Sequence, residues 1–403
     1  MQYSYKAKTK DGKIKFGEIN AKNRSDLIAK LNNDDLALVS VQESQKEEKK
    51  NFEISKILKR VSVIDKMLFT RHLGVMLRAG LSFSRATTVL AEQTENAYFK
   101  EILESVREDI QKGNQLATSL AKYPKVFDEL FVNMIRVGEM GGNLEEVLDI
   151  LYLQLKKEHE LTSRVKGAMT YPAVIIFAMV VIGVLMMMFV VPSLLKIFTE
   201  TGAELPASTK MIVFISDSFQ NYGLLILAGF IVFIISFLKV IKTKAGKKKF
   251  DFVLLHLPAI GKIVSKINMA RFSRTLSSMI ASGVSIVKAL DIISETLGNT
   301  YYQDSIKDAC QEVQRGVSLS EVIRRYDKLY YPLMINMIEV GEETGTLQET
   351  LKQVSEFYED EVEQVTANMS SIIEPVLMLV IGGAVGFFAV SMIQPMYSVM
   401  GTI

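Results

Sequence analysis

Tryptophan is absent from this chain of 403 residues, and cysteine occurs once, as Cys310. A single thiol excludes an internal disulfide and fits a reducing compartment for its segment. Histidine is nearly as scarce: His72, His159 and His256 stand far apart on unrelated segments. They lack the HExxH spacing and the cysteine partners of a zinc site, and no GxSxG elbow offers a nucleophile. No GxxxxGK(S/T) loop is present to cradle nucleotide phosphates. With a net charge of only +2 there is no bulk attraction for nucleic acid. The residues thus point to no catalytic group, no cofactor and no metal. The opening MQYSYKAKTKDGK also lacks the apolar core of a signal peptide, so later segments must carry the chain into any membrane.

Charge is missing in a patterned way. Gly167–Leu195, Ser218–Leu238 and Pro375–Ile403 contain no Asp, Glu, Lys, Arg or His. About 20 apolar residues cross the hydrocarbon layer, so each run is long enough for a transmembrane helix. The same absence argues against a permease, because proton relays and ion pathways need ionisable groups within the spans. Six lysines and no acid lie in 239–249, whereas the 196–217 connection mixes both signs. The positive-inside rule then places the N-terminus in the cytoplasm and the C-terminus outside. A receptor would need a sizeable external sensor, and that connection is too short to be one.

What the chain does have is a duplication. FTRHLGVMLRAGLS (69–82) returns 203 positions later as FSRTLSSMIASGVS (272–285), and NMIRVGEMGGNL (133–144) returns as NMIEVGEETGTL (336–347). A unit of about 110 residues has been used twice, and a repeat of this kind governs the fold. Span two has no counterpart in the repeat. It returns the chain to the cytoplasmic side, so both copies fold in the same solvent.

Phe69, Leu73, Met76 and Leu77, with their counterparts Phe272, Leu276, Met279 and Ile280, mark one face of an amphipathic helix. Gly80 and Gly283 sit where such a helix closes left-handed, and Ser82 and Ser285 follow as N-cap candidates. Gly113 and Gly316 read as a second break, with Ser318 and Glu321 at capping-box spacing. Further helices are expected near 128–140 and 145–170, matched by 331–343 and 348–373. Between them lie the GE-x-x-G elements, Gly138, Glu139 and Gly142 in one copy and Gly341, Glu342 and Gly345 in the other. They read as hairpin punctuation, with Asn143 or Thr346 as caps. The acids remain open to a partner or an ion, although one carboxylate per motif is too few ligands for a metal site. Pro172 and Pro375 begin or kink the helices entering spans one and three. Gly382 and Gly386, four apart, suit close packing against another span.

The first fifty residues differ in kind. YSYKAKTKDGKIKFGEI alternates about Asp11-Gly12 as a hairpin, SDLIAKLNNDDL reads as a short helix behind Ser25, and ALVSVQ as a third strand. The expected class is mostly α and integral to the membrane: two homologous cytoplasmic helical bundles, three transmembrane helices and a small N-terminal α+β module. The boundaries are 1–44 for the module, 45–54 for a charged linker, 55–170 for bundle one and 171–195 for span one. An outer loop (196–217), span two (218–238), a basic segment (239–257), bundle two (258–374), span three (375–397) and a tail (398–403) follow.

The YxYKAKTKDGK-like strand, FTRHLGVMLRAGLSFSRA, VGEMGGNLEEVL, Tyr171-Pro172, VGEETGTLQETL and Glu374-Pro375 occur in this order across essentially the whole chain. In this the chain resembles the GspF/PilC family of inner-membrane platform proteins of type II secretion and type IV pilus systems. The resemblance implies a non-enzymatic scaffold in the bacterial inner membrane. Its implied partners are a cytoplasmic hexameric ATPase, the transmembrane helices of pilin or pseudopilin subunits, other inner-membrane assembly proteins and further copies of itself. It supplies no catalytic residue. Bundle one is the expected principal contact for the ATPase.

Overall fold

The computed structural model of the chain describes residues 2–9, 14–20, 36–44, 60–201, 206–258 and 260–400. Residues 1–60 and 61–403 form two units. In the first, β1 (Gln2–Thr9) is the central strand, flanked antiparallel by β2 (Ile14–Asn20) and β3 (Leu36–Ser44). Tyr3 pairs with Ile19 and with Glu43, so the expected hairpin and third strand are both present. The turn at Asp11-Gly12, the helix expected behind Ser25 and the whole 45–54 linker lie outside the described residues.

The second unit is helical. Copy one comprises α1 (Val63–Arg78), α2 (Phe83–Gln93), α3 (Ala97–Gln111), α4 (Leu116–Leu120), α5 (Glu129–Gly141) and the first half of α6 (Leu144–Leu185). A π-helical turn (Met186–Val190) links α6 to α7 (Val191–Thr201), and α8 (Ala207–Ile241) returns across the apolar region. The basic segment folds as α9 (Lys244–His256). Copy two repeats the pattern as α10 (Ile260–Ala281), α11 (Ile286–Thr296), α12 (Thr300–Gln314), α13 (Leu319–Arg324), α14 (Pro332–Thr344) and α15 (Leu347–Ala367). It ends in α16 (Met369–Met400).

Each copy pairs its first helix with its last, its second with its third and its fifth with its last, around its own apolar core. Local sequence explains several of the starts. Asn96 accepts from the Phe99 amide at 3.1 Å and Asp128 from the Phe131 amide at 2.9 Å, each satisfying a donor that a helix N-terminus leaves free. Ser62 and Asp65 form a reciprocal capping box at the start of α1, at 3.0 and 2.9 Å. Ser82 and Ser285 occupy N-cap positions with extended backbone, but neither hydroxyl accepts a capping bond.

Among the described residues, the six positive-φ glycines fall in register between the copies: Gly80 and Gly283, Gly113 and Gly316, Gly142 and Gly345, with φ between 70° and 92°. A Cβ in that region is strained, so the duplication retains glycine where the helices turn.

Among the described residues, three helices are long and apolar enough to cross a membrane, within Leu144–Lys196, Ala207–Ile241 and Ile373–Gln394. The helix expected over 145–170 continues beyond 170, because α6 runs unbroken through Pro172. Its 42 residues extend about 63 Å at 1.5 Å per residue. The segment 196–217, expected as a loop, is helical to Thr201 and again from Ala207. Near this end the spans meet through Val191, Ile212 and Met392. Thr209 Oγ1 donates to the Ser391 carbonyl at 2.5 Å, and Ser216 Oγ donates to the Met187 carbonyl at 2.7 Å. The second bond satisfies a carbonyl of the π-helical turn, where the regular ladder is interrupted.

Candidate functional site

α4 and α13 are only five and six residues long, too short to hold themselves together by propagation. Each is capped from outside. The Glu139 carboxylate accepts from the Leu116 amide at 2.6 Å and the Ala117 amide at 3.0 Å. Glu342 does the same for Leu319 at 2.6 Å and Ser320 at 3.0 Å, and it also accepts from the Ser320 hydroxyl at 2.5 Å. A carboxylate at a helix N-terminus gains from both the hydrogen bonds and the helix dipole. The acids that the sequence leaves open to a partner or an ion are thus committed to amides of their own bundle. Ser318 does accept from the Glu321 amide, at 3.4 Å, while the Glu321 carboxylate faces Arg325.

The neighbouring glycines complete the joint. A Cβ on Gly138 would lie 3.1 Å from the Leu144 Cα, and one on Gly341 would lie 2.9 Å from the Leu347 Cα. Glycine therefore lets α5 cross α6, and α14 cross α15, at near backbone contact. Gly142 and Gly345 then close the turn with φ of 70° in both copies. Asn143 and Thr346 stand at the N-caps of α6 and α15 without a side-chain capping bond. The GE-x-x-G element therefore combines a close crossing, a remote cap and a left-handed turn.

Sequence reasoning missed the polar seam between the copies. Arg274 on α10 has a side chain only 7% exposed. Its guanidinium donates to Glu359 at 2.6 Å, to Glu158 at 2.8 Å and to the Gln154 amide oxygen at 3.2 Å. Gln154 donates in turn to Thr275 at 2.9 Å, Lys157 pairs with Glu359 at 3.0 Å, and Arg271 reaches Glu158. Leu161 of α6 belongs to the core of copy two. A buried charge needs partners of this quality, or its desolvation is uncompensated. The N-terminal half of α6 is thereby held against α10 and α15. A run of Gln, Lys, Glu and Arg on amphipathic helices gave no sign of which charges would be buried.

In the apolar region, α6 and α16 border a cavity of 470 Å³. It is lined by Ile175, Met179, Ile182, Gly183, Ala384 and Phe388 among others. Pro172 is buried within α6, and Pro375 falls inside α16, which already begins at Met369. Gly382 and Gly386 are exposed, and a Cβ on either would meet nothing within 4 Å, so no described part of this chain seats against them. Among the described residues, no group of three or more His, Cys, Asp or Glu is gathered to hold a metal ion.

Two copies of one helical bundle, joined by a long helix and carried by three apolar helices, define a duplicated, membrane-anchored helical protein. The family model for type II secretion system protein F matches twice, at residues 69–192 and 272–395, in the register of the internal repeat. The type IV pilus assembly protein PilC of Myxococcus xanthus is 34% identical, covering 100% of this chain and 96% of its own. PilC of Thermus thermophilus is 33% identical over 100% of this chain and 98% of its own. The type II secretion system protein F of Vibrio cholerae is 30% identical over 98% and 97%. The chain belongs to the family of type II secretion system protein F and is an inner-membrane protein.

Proposed function

We propose that the protein is a non-enzymatic platform of the bacterial inner membrane, serving type IV pilus assembly or type II secretion. In this reading it couples a cytoplasmic hexameric ATPase to the insertion of pilin-like subunits into a growing fibre. The observation that carries the proposal is α6. It runs as one helix from the Gly142 turn into the apolar region, and the Arg274 seam fixes its middle to copy two. A displacement applied to the bundles therefore reaches the spans without crossing a flexible loop.

The groove between α6 and α16 suits an apolar helix from a pilin or pseudopilin. Three crossings put the N-terminus and both bundles in the cytoplasm and the C-terminus outside, in keeping with the lysines of 239–249. Bundle one is the assigned ATPase contact, with other inner-membrane assembly proteins and further copies of the chain as neighbours.

Deleting the chain tests the platform role, with loss of surface fibres or of secreted substrate expected; normal assembly without it would reject the proposal. Charge reversals at exposed Glu101, Lys112 and Lys125 test the contact. Weaker co-purification with the ATPase, at unchanged membrane insertion, supports bundle one. Unchanged co-purification across that surface would move the contact to bundle two or the N-terminal module.

A further inference from the structure

The joint between the two copies is heterologous: copy one presents one face and copy two receives it on another. The presenting face includes Leu130, Val137, Gln154 and Glu158, and the receiving face includes Arg271, Arg274, Thr275 and Ser278. Because the copies are equivalent, each also owns the half of this joint that the chain does not use.

The unused presenting face lies 203 positions on, at Leu333, Val340, Phe357 and Glu361. The unused receiving face lies 203 positions back, at Leu68, Arg71, His72 and Val75. Leu333, Val340, Phe357, Leu68 and Val75 are all 43–48% exposed. The first three are the large apolar side chains left exposed along α11–α15. Such residues on an otherwise polar bundle mark an interaction surface.

Charge agrees with pairing. Lys157 meets Glu359 at 3.0 Å within the chain, and their counterparts are Asp360 and Lys156. Both signs are reversed, so the attraction survives. Arg274 with Glu158 becomes Arg71 with Glu361, still of opposite sign, although within one chain Arg71 pairs with Asp149 and Glu361 with Lys266, so this pair would form by exchange of partners. Leu68 and His72 also line a cavity of 370 Å³, room for the ring of Phe357 that stands in place of Gln154.

We infer that a second copy of this chain docks the Leu333–Val340–Phe357 face of its copy two onto the Leu68–Arg71–Val75 face of copy one. The joint seen within one chain is thereby repeated between chains. Repeated head-to-tail contacts generate rings or open filaments. Chains anchored in one bilayer with one orientation repeat the step about the membrane normal, which favours a ring. The inference deepens the self-association of the proposed platform and names its surface. It is read without the ATPase or pilins, so a failure of the coupling role leaves it standing, and its own failure leaves that role untouched.

The test uses two differently tagged full-length Cys310→Ala chains co-expressed in membranes, one with His72→Cys and the other with Phe357→Cys. These positions are equivalent to Thr275 and Gln154, which are bonded at 2.9 Å within the chain. A Gln154→Cys/Thr275→Cys chain, cross-linking internally, reports that the fold is intact. The expected result is a cross-link joining the two tags, in clear excess over either like pair. Lys156→Asp should lower its yield about threefold, and Asp360→Lys in the partner should restore it, as for an exposed ion pair. Like pairs cross-linking as well as the unlike pair would indicate a two-fold interface and overturn the inference. So would a link confined to one doubly substituted chain, or no link at all while the internal control forms.

Discussion

The two copies keep one framework and diverge at the faces where that framework is used. Both retain left-handed glycines and a glutamate cap in register. Their cores are built differently. Copy one clusters Phe69, Phe99 and Phe127, with Phe69 5.8 Å from each of the others. Copy two places Phe272 with Tyr302 and Tyr330 at the same positions. It bonds Tyr330 to Ser305 at 2.8 Å and Tyr302 to the Leu329 carbonyl. Arg71, paired with Asp149, is 46% exposed, whereas its counterpart Arg274 is 7% exposed within the seam. α6 is continuous, but its counterpart divides at Asn368 into α15 and α16. Copy one thus continues into the apolar region as a single rod, and copy two packs against that rod.

The largest expected contrast is at the paired arginines. Arg274→Ala leaves Glu359 buried with one partner fewer and should cost about 3–5 kcal/mol. Arg71→Ala should cost less than about 1 kcal/mol, because its pair is exposed. Denaturant unfolding in detergent, followed by helical circular dichroism, separates the two, and equal losses would break the comparison. Next come the glycines: Gly341→Ala forces the α14–α15 crossing apart and should cost about 1–3 kcal/mol. Gly382→Ala meets open space and should stay within about 0.5 kcal/mol. The glutamates should behave alike, Glu139→Gln and Glu342→Gln each losing about 1–2 kcal/mol as a charged acceptor becomes neutral.

The last contrast concerns pH. Burial pushes the Tyr358 hydroxyl up to about 12, and it raises Tyr302 and Tyr330 as well. These groups stay protonated longer in the folded chain, so their stability is intact below the free tyrosine value of about 10 and is lost above it. One unit above that value, Tyr358 contributes a loss of at most about 1.4 kcal/mol. Phe99, Phe127 and Leu155 stand at these positions in copy one, so proteolysis at alkaline pH should attack bundle two first. Tyr302→Phe and Tyr330→Phe should narrow the difference; equal susceptibility of both bundles would show that burial of these hydroxyls does not set it.

The repeat, the three apolar runs and the helix-ending glycines were legible because each is a local or periodic pattern. Glu139 was visible as a residue but not as a cap, since its partners lie 23 and 22 positions away and no local spacing marks them. The serines at 82 and 285 show the converse, occupying a favoured position without the bond that makes it favourable. Pro172 left open whether a helix would begin or continue there, since a helix tolerates proline where neighbouring groups compensate, and α6 passes through it. The Arg274 seam stayed hidden because burial of a charge depends on which helix arrives against it.

Everything mechanical in this account requires both bundles to lie on one side of the membrane. In a Cys310→Ala background, Lys100→Cys and Lys307→Cys place exposed thiols on α3 and α12. A membrane-impermeant thiol reagent should label both in inverted inner-membrane vesicles and neither in right-side-out vesicles. Labelling of the two from opposite faces would contradict the account.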